Sequence, residues 1–218
     1  GEEIQKKMKT VDWDAEAAEK AGYEHFMMKE IHEQPRAVKD TLNSVLKDGK
    51  IDLTDIGLAE EDIRRTSQIY IVACGSAYHV GMVAQYVIED LVKIPVRVEL
   101  ASEFRYRKPI LDPNGLVIII SQSGETADSL AALRETKAQG IRTLGIVNVV
   151  GSSIAREADK VFYTLAGPEI SVATTKAYST QLMASYILAI QFAKVKNTIT
   201  EEQYENYIAE LQDRKSTR

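Results

Sequence analysis

The chain has 218 residues, with 27 lysines and arginines against 32 aspartates and glutamates, 44% hydrophobic residues, 5 prolines and one cysteine. That length supports one sizeable core, and a formal net charge of −5 argues against a nucleic-acid partner, which calls for a positive stripe to neutralise phosphates. A lone cysteine forms no internal disulfide, no charged-then-apolar leader opens the chain, and the apolar runs at 69–74 and 116–120 are far short of a membrane span, so a cytoplasmic, reducing setting away from membranes is expected.

Gly1 and the charged, aperiodic residues behind it read as a linker or N-terminal extension over 1–22, and 23–66 reads as a block of N-terminal helices. Within that block, 23–31 mixes apolar and charged residues at helical spacing. Gln34-Pro35 then interrupts, with Pro35 suited to the first turn of a second helix that carries Val38, Leu42, Val45 and Leu46 and ends near Gly49. Residues 48–57 look like a turn-rich connection, and 59–65 like a short helix or a polar approach to the first strand.

From there to 197 the pattern is that of a regular α/β core. A continuous β-branched run at 69–73 is followed by Gly75 and a helical stretch at 78–91, which spells strand, glycine turn, helix. Val96, Val98 and Leu100 alternate as a second strand over 95–100, the Asp112-Pro113-Asn114-Gly115 turn introduces a third at 116–120, and a helix follows at 127–138 with Gly140 as its cap. Strands at 142–147 and 160–164 flank a short helix at 152–158, a long apolar helix runs over 173–194, and 200–214 carries Tyr204, Tyr207, Ile208 and Leu211 as a last amphipathic helix within a C-terminal segment, 198–218. The alternation predicts a parallel sheet with helices on both faces. The charged and aromatic run at 103–108 reads as a solvated surface loop.

In such a sheet, ligands bind at the carboxyl ends of strands, where helix N-termini present free N–H groups. Two places qualify. The loop Ser121-Gln122-Ser123-Gly124-Glu125-Thr126 offers three hydroxyls and an amide with no lysine or arginine, which suits a phosphate ester held by backbone N–H groups, the helix dipole and directed hydroxyls. The same residues suit plain capping of the helix near Ala127, with Thr126 as N-cap, and spacing alone leaves both readings open. The turn Cys74-Gly75-Ser76-Ala77 lacks a nucleotide-binding glycine pattern, and Cys74 reads as a structural cysteine at a strand end. His25, His32 and His79 have no metal-ligand spacing, so no metal is expected. In the run from Gly167 to Lys176, small residues permit close approach to a ligand, with Thr174 or Thr175 as a helix cap and Lys176 facing solvent or pairing with an acid.

The strings Ala73-Cys74-Gly75-Ser76-Ala77-Tyr78-His79, Ala101-Ser102-Glu103-Phe104-Arg105-Tyr106-Arg107, Ser121-Gln122-Ser123-Gly124-Glu125-Thr126-Ala127-Asp128 and Ala173-Thr174-Thr175-Lys176-Ala177 closely resemble the glutamine:fructose-6-phosphate aminotransferase (isomerizing), or glucosamine-6-phosphate synthase, family. Residues 26–35 look like the lead-in to that family's isomerase region, and the likeness runs from about Trp13 onward. It is to the first of two sugar isomerase (SIS) subdomains, which implies a three-layer αβα sandwich with a five-stranded parallel sheet, of the Rossmann or flavodoxin-like kind.

The resemblance implies binding of fructose 6-phosphate or glucosamine 6-phosphate, with ammonia transfer and ketose-aldose isomerisation on the route to UDP-N-acetylglucosamine. It places the phosphate loop on Ser121, Gln122, Ser123 and Thr126, the glycine turn on Gly75, Ser76 and Ala77, and sugar-lining backbone on Val172 and Ala173. The family's usual Cys-Gly-Thr-Ser turn is Cys-Gly-Ser-Ala here, so Ala77 brings no hydroxyl. No cofactor is implied, and no catalytic residue is expected in this stretch, because the family's acid-base glutamate, ring-opening histidine and lysine belong to the second SIS subdomain. Implied partners are that subdomain, a glutaminase domain and a second copy in a homodimer, and the fragment alone is expected to be inactive. A non-catalytic sugar-phosphate sensor and a stand-alone phosphosugar isomerase are the alternatives.

Overall fold

A computed structural model describes residues 19–213. The expected linker over 1–22 and the end of the last segment therefore fall largely outside the described residues. The elements run α1 (Phe26–Asn43), β1 (Leu46–Lys47), β2 (Lys50–Ile51), a 3-10 turn (Thr54–Ile56), α2 (Glu60–Arg64), β3 (Ile69–Ala73), α3 (Ser76–Val92), β4 (Val96–Leu100), α4 (Ala101–Arg107), β5 (Leu116–Ser121), α5 (Ala127–Ala138), β6 (Arg142–Val147), α6 (Ser153–Glu157), β7 (Lys160–Tyr163), α7 (Lys176–Val195) and α8 (Glu201–Asp213).

Strands β3 to β7 form the five-stranded sheet that the α/β pattern predicts, in the order β4-β3-β5-β6-β7, with every neighbouring pair parallel. Period-two alternation sorts its side chains into two layers. Ile69, Ile71, Leu116, Ile118, Leu144 and Ile146 join the core beneath α3 and α7, whereas Tyr70, Val72, Val117, Ile119 and Val147 join Phe104, Leu133 and Ile154 from α4, α5 and α6. The chain leaves β3 toward β4 on one side and returns to β5 on the other, so the carboxyl ends of β3 and β5 flank a topological switch point.

Three expectations fail, each for a local reason. There is no break at Pro35: α1 is one helix with Pro35 inside it. The proline cannot donate to the Ile31 carbonyl four residues back, and the Gln34 side-chain amide donates to that carbonyl instead, at 3.3 Å. The run at 103–108 is not a loop, because Ala101 and Phe104, three residues apart on one helical face, are both buried and hold α4 against the sheet. The helix carrying Val38 and Leu42 ends at Asn43 rather than near Gly49, because Asp48 and Gly49 both take positive φ (50° and 75°) and close a two-stranded antiparallel hairpin, β1-β2, that takes up Leu46. The long helix also starts later than expected, at Lys176.

α8 begins with a reciprocal cap. Thr200 N–H donates to the Gln203 side chain at 2.9 Å, and Gln203 N–H donates to the Thr200 hydroxyl at 3.1 Å. The Tyr204 hydroxyl accepts from the Ile51 N–H at 2.9 Å, so α8 closes over the hairpin, and Leu42, Ile51, Tyr204 and Ile208 belong to the same core as the sheet.

Candidate functional site

The loop after β5 is built by its own hydroxyls. Ser121 Oγ accepts from the Gly124 N–H at 3.1 Å and lies 3.0 Å from Thr126 Oγ1, while Ser123 Oγ accepts from the Glu125 N–H at 3.2 Å. Thr126 occupies the N-cap position of α5 but makes no side-chain capping bond. The first helical bond runs from the Leu130 N–H to the Thr126 carbonyl, which leaves the first-turn N–H groups of α5 without helical partners. Thr126 thus stands where the capping reading puts it, but without the side-chain bond that capping would use.

The turn β6–α6 braces the loop from behind. Asn148 N–H donates to the Gln122 carbonyl at 3.1 Å, Ile154 N–H to the Gly124 carbonyl at 3.0 Å, and Ser153 N–H to the Glu125 carboxylate at 2.7 Å. Those Ser153 bonds, with the charge of Arg156, hold the Glu125 carboxyl below its usual range. Gly124 is required twice over. Its φ is +67°, and a Cβ there would lie 2.1 Å from Ser152 Oγ. Asp128, in the first turn of α5, is paired with Arg105 at 2.6 Å.

A cavity of about 240 Å³ opens beside this loop. Ser76, Ala77, Ser121, Gln122, Ser123, Thr126 and Val172 line it, as do Cys74, Glu169, Thr174 and Gln181. Gly75 and Ala173, both exposed, do not. Gly75 shapes the turn instead: its φ of 56° and ψ of −133° belong to a region open only to glycine. Val172 is fully exposed at the cavity rim. Cys74 is half-buried, and its Sγ accepts from the Ser129 hydroxyl at 3.8 Å.

The opposite wall is the segment 167–175. Glu169 takes the N-terminus of α7, accepting from the Thr175 and Ala177 N–H groups at 2.9 and 3.2 Å and from the Thr174 hydroxyl at 3.1 Å. Neither threonine caps α7 with its side chain, as Thr175 holds the N-cap position without a capping bond. The segment is anchored by α1: Glu30 Oε1 accepts from the Ile170 and Ser171 N–H groups at 2.6 and 3.2 Å, although Glu30 is buried to 1% exposure. Lys176 is buried as well and pairs with Glu33 at 2.6 Å, while the Ser179 hydroxyl meets Gln34 at 2.5 Å. Burial alone would push the Glu33 pKa up, but the hydrogen bonds and charges of Lys176 and Lys29 hold it below its usual value.

The polarity of the cavity is therefore divided. The α7 dipole already meets a carboxylate, whereas the α5 dipole and its hydroxyls are open. An anion fits the α5 side, and neutral polar groups fit the Glu169 side. Sequence reasoning missed Glu169, Gln181 and Glu30, because a polar residue in or beside a helix gives no periodic signal of what it faces.

The SIS domain model matches residues 62–191. The chain belongs to the SIS domain family. It is 57% identical over 97% of its length to glutamine–fructose-6-phosphate aminotransferase (isomerizing) of Clostridium acetobutylicum, and likewise 57% identical to that of Clostridium tetani, and it spans 35% of the length of each. Among solved structures, the C-terminal domain of glucosamine-fructose-6-phosphate aminotransferase from Francisella tularensis superposes with a TM-score of 0.88 at 47% identity, covering 91% of this chain and 56% of that one. These matches agree with the family that the motif strings resemble. No helix among the described residues is long and apolar enough to cross a membrane.

Proposed function

We propose that the cavity between the ends of β3 and β5 binds the phosphate and sugar of fructose 6-phosphate or glucosamine 6-phosphate. In this reading the SIS domain serves an isomerizing glutamine–fructose-6-phosphate aminotransferase, a cytoplasmic homodimer. A glutaminase domain supplies ammonia, and a second SIS subdomain, reached through α8 and the C-terminal segment, supplies the acid-base and lysine chemistry. Ser123, Thr126, the Gln122 amide and the first-turn N–H groups of α5 hold the phosphate. Ser121 orients Thr126, the Gly75-Ser76-Ala77 turn offers backbone N–H groups, and Val172 and Ala173 border the sugar.

The observation that carries the reading is the Thr126 hydroxyl, turned from its cap position to Ser121 on the wall of a polar cavity. Calorimetric titration of the 218-residue chain with glucosamine 6-phosphate and with glucosamine tests it. Binding is expected for the phosphate ester only. Ser123→Ala and Thr126→Val are each expected to weaken it by about 1–2 kcal/mol, the worth of one hydrogen bond to a charged group. Unchanged affinity in both variants would remove the phosphate from this loop.

A further inference from the structure

Gln181, on the second turn of α7, is 3% exposed and forms part of the cavity wall. Its backbone carbonyl accepts from the Ser185 hydroxyl at 2.9 Å, whereas its side-chain amide makes no hydrogen bond to any described residue. Neither amide atom is among the fully enclosed unpaired polar atoms, so its residual exposure is to the cavity. A buried amide without a partner is unfavourable, and its surroundings in α7 are otherwise satisfied: Ala177, Met183 and Ala184 are buried apolar residues, and the Thr180 and Ser185 hydroxyls donate to backbone carbonyls. Packing alone gives no reason for a glutamine there.

The amide's chemistry selects its partner. A primary amide offers two N–H donors and one carbonyl acceptor side by side. A phosphate oxygen, which only accepts, would leave the carbonyl unmatched and facing like charge. A hydroxyl both donates and accepts, and matches the pair. The Glu169 carboxylate in the same wall disfavours an anion on this side as well.

We infer that Gln181 is a specificity-determining residue that reads the sugar end of the ligand by exchanging hydrogen bonds with its hydroxyls, while the loop after β5 holds the phosphate. The inference rests on the cavity being a sugar-phosphate site. It distinguishes two kinds of contact within that site: one blind to the carbon skeleton and one that depends on it.

The test uses Gln181→Met in the 218-residue chain, a change that keeps the length of the side chain and removes its hydrogen-bonding groups. Affinity for glucosamine 6-phosphate is expected to fall about 5- to 10-fold, the effect of one or two neutral hydrogen bonds, while affinity for inorganic phosphate stays the same. The ligand-free melting midpoint is expected to hold or rise, because the variant removes an unpaired buried amide. Equal losses for both ligands, no loss for either, or a lowered midpoint would each overturn the role. If the unsubstituted chain binds neither ligand, the sugar-phosphate reading of the cavity fails and takes this inference with it. If that chain binds both and only the Gln181→Met selectivity is absent, the inference alone fails.

Discussion

The loop after β5 and the segment between β7 and α7 wall the same cavity, yet their support comes from different distances along the chain. The first is held by hydroxyls within its own six residues and by the next turn of the fold, through Asn148, Ser153 and Ile154. The second is held by Glu30, 140 positions earlier, and by the burial of Lys176 against Glu33. Asn148 touches both, since its amide also bonds the Gly167 carbonyl at 2.8 Å and the Ala166 N–H at 3.0 Å. One wall is thus fixed wherever the sheet forms, whereas the other depends on α1 docking against α7. One wall of a cavity can be a local product of sequence while the wall that faces it is assembled from afar.

Three changes would break or sharpen this contrast. Gly124→Ala has the largest expected effect, because it imposes an unfavourable positive φ and drives a methyl group into Ser152. A loss of about 3–4 kcal/mol is expected in denaturant unfolding, with faster amide exchange across 121–126 in the native chain. If the loop tolerates alanine with less than half that loss, its bracing is looser than described.

Glu30→Ala comes next. It removes the acceptor of two part-buried N–H groups and is expected to lower stability by about 1–2 kcal/mol. Exchange should quicken at Ile170 and Ser171 and stay unchanged across 121–126. Glu30→Gln, which retains an acceptor, should recover most of the protection, and failure to do so would assign the anchor to charge rather than to hydrogen bonding.

Glu33 gives the smallest effect and the one visible in pH. Its folded pKa is depressed, so the unfolded chain binds the proton more readily. The stability it contributes is present above the usual carboxylate value and is lost as pH falls through that value toward the folded pKa. Glu33→Gln should flatten this part of the acid-unfolding profile, and a profile that keeps its slope would show that the Lys176 pair carries no net linkage.

The same contrast explains how much was legible in the sequence. Strands β3 and β5 are built on continuous apolar runs, and the Ser-Gln-Ser-Gly-Glu-Thr loop lies at the end of one of them, so the place of the locally supported wall is readable from the order of residues alone. The distant support is not. Glu30 and Glu33 sit on a helix whose pattern suggests exposed acids, Pro35 suggests a break that Gln34 repairs, and Gln181 is one of several polar residues along α7, with nothing in its spacing to single it out. Glu30 and Glu33 gain their meaning from neighbours more than a hundred residues away, and Gln181 from the cavity it borders, and neither leaves a period in the sequence. α4 is obscured differently: its charged residues outnumber the two apolar contacts that place it.

The hydroxyl pair at Ser121 and Thr126 has one more consequence. Ser121 Oγ already accepts the Gly124 N–H, so its own hydrogen is free to point at Thr126, and the Thr126 hydrogen is then free to point into the cavity. The three groups form a short polarised relay that starts at a backbone amide and ends at the cavity, each bond strengthening the next. Because no member of the relay is an acid or a base near neutral pH, an anion bound as proposed above would meet aligned dipoles rather than a countercharge, and its hold would not depend on the titration of any group in the loop.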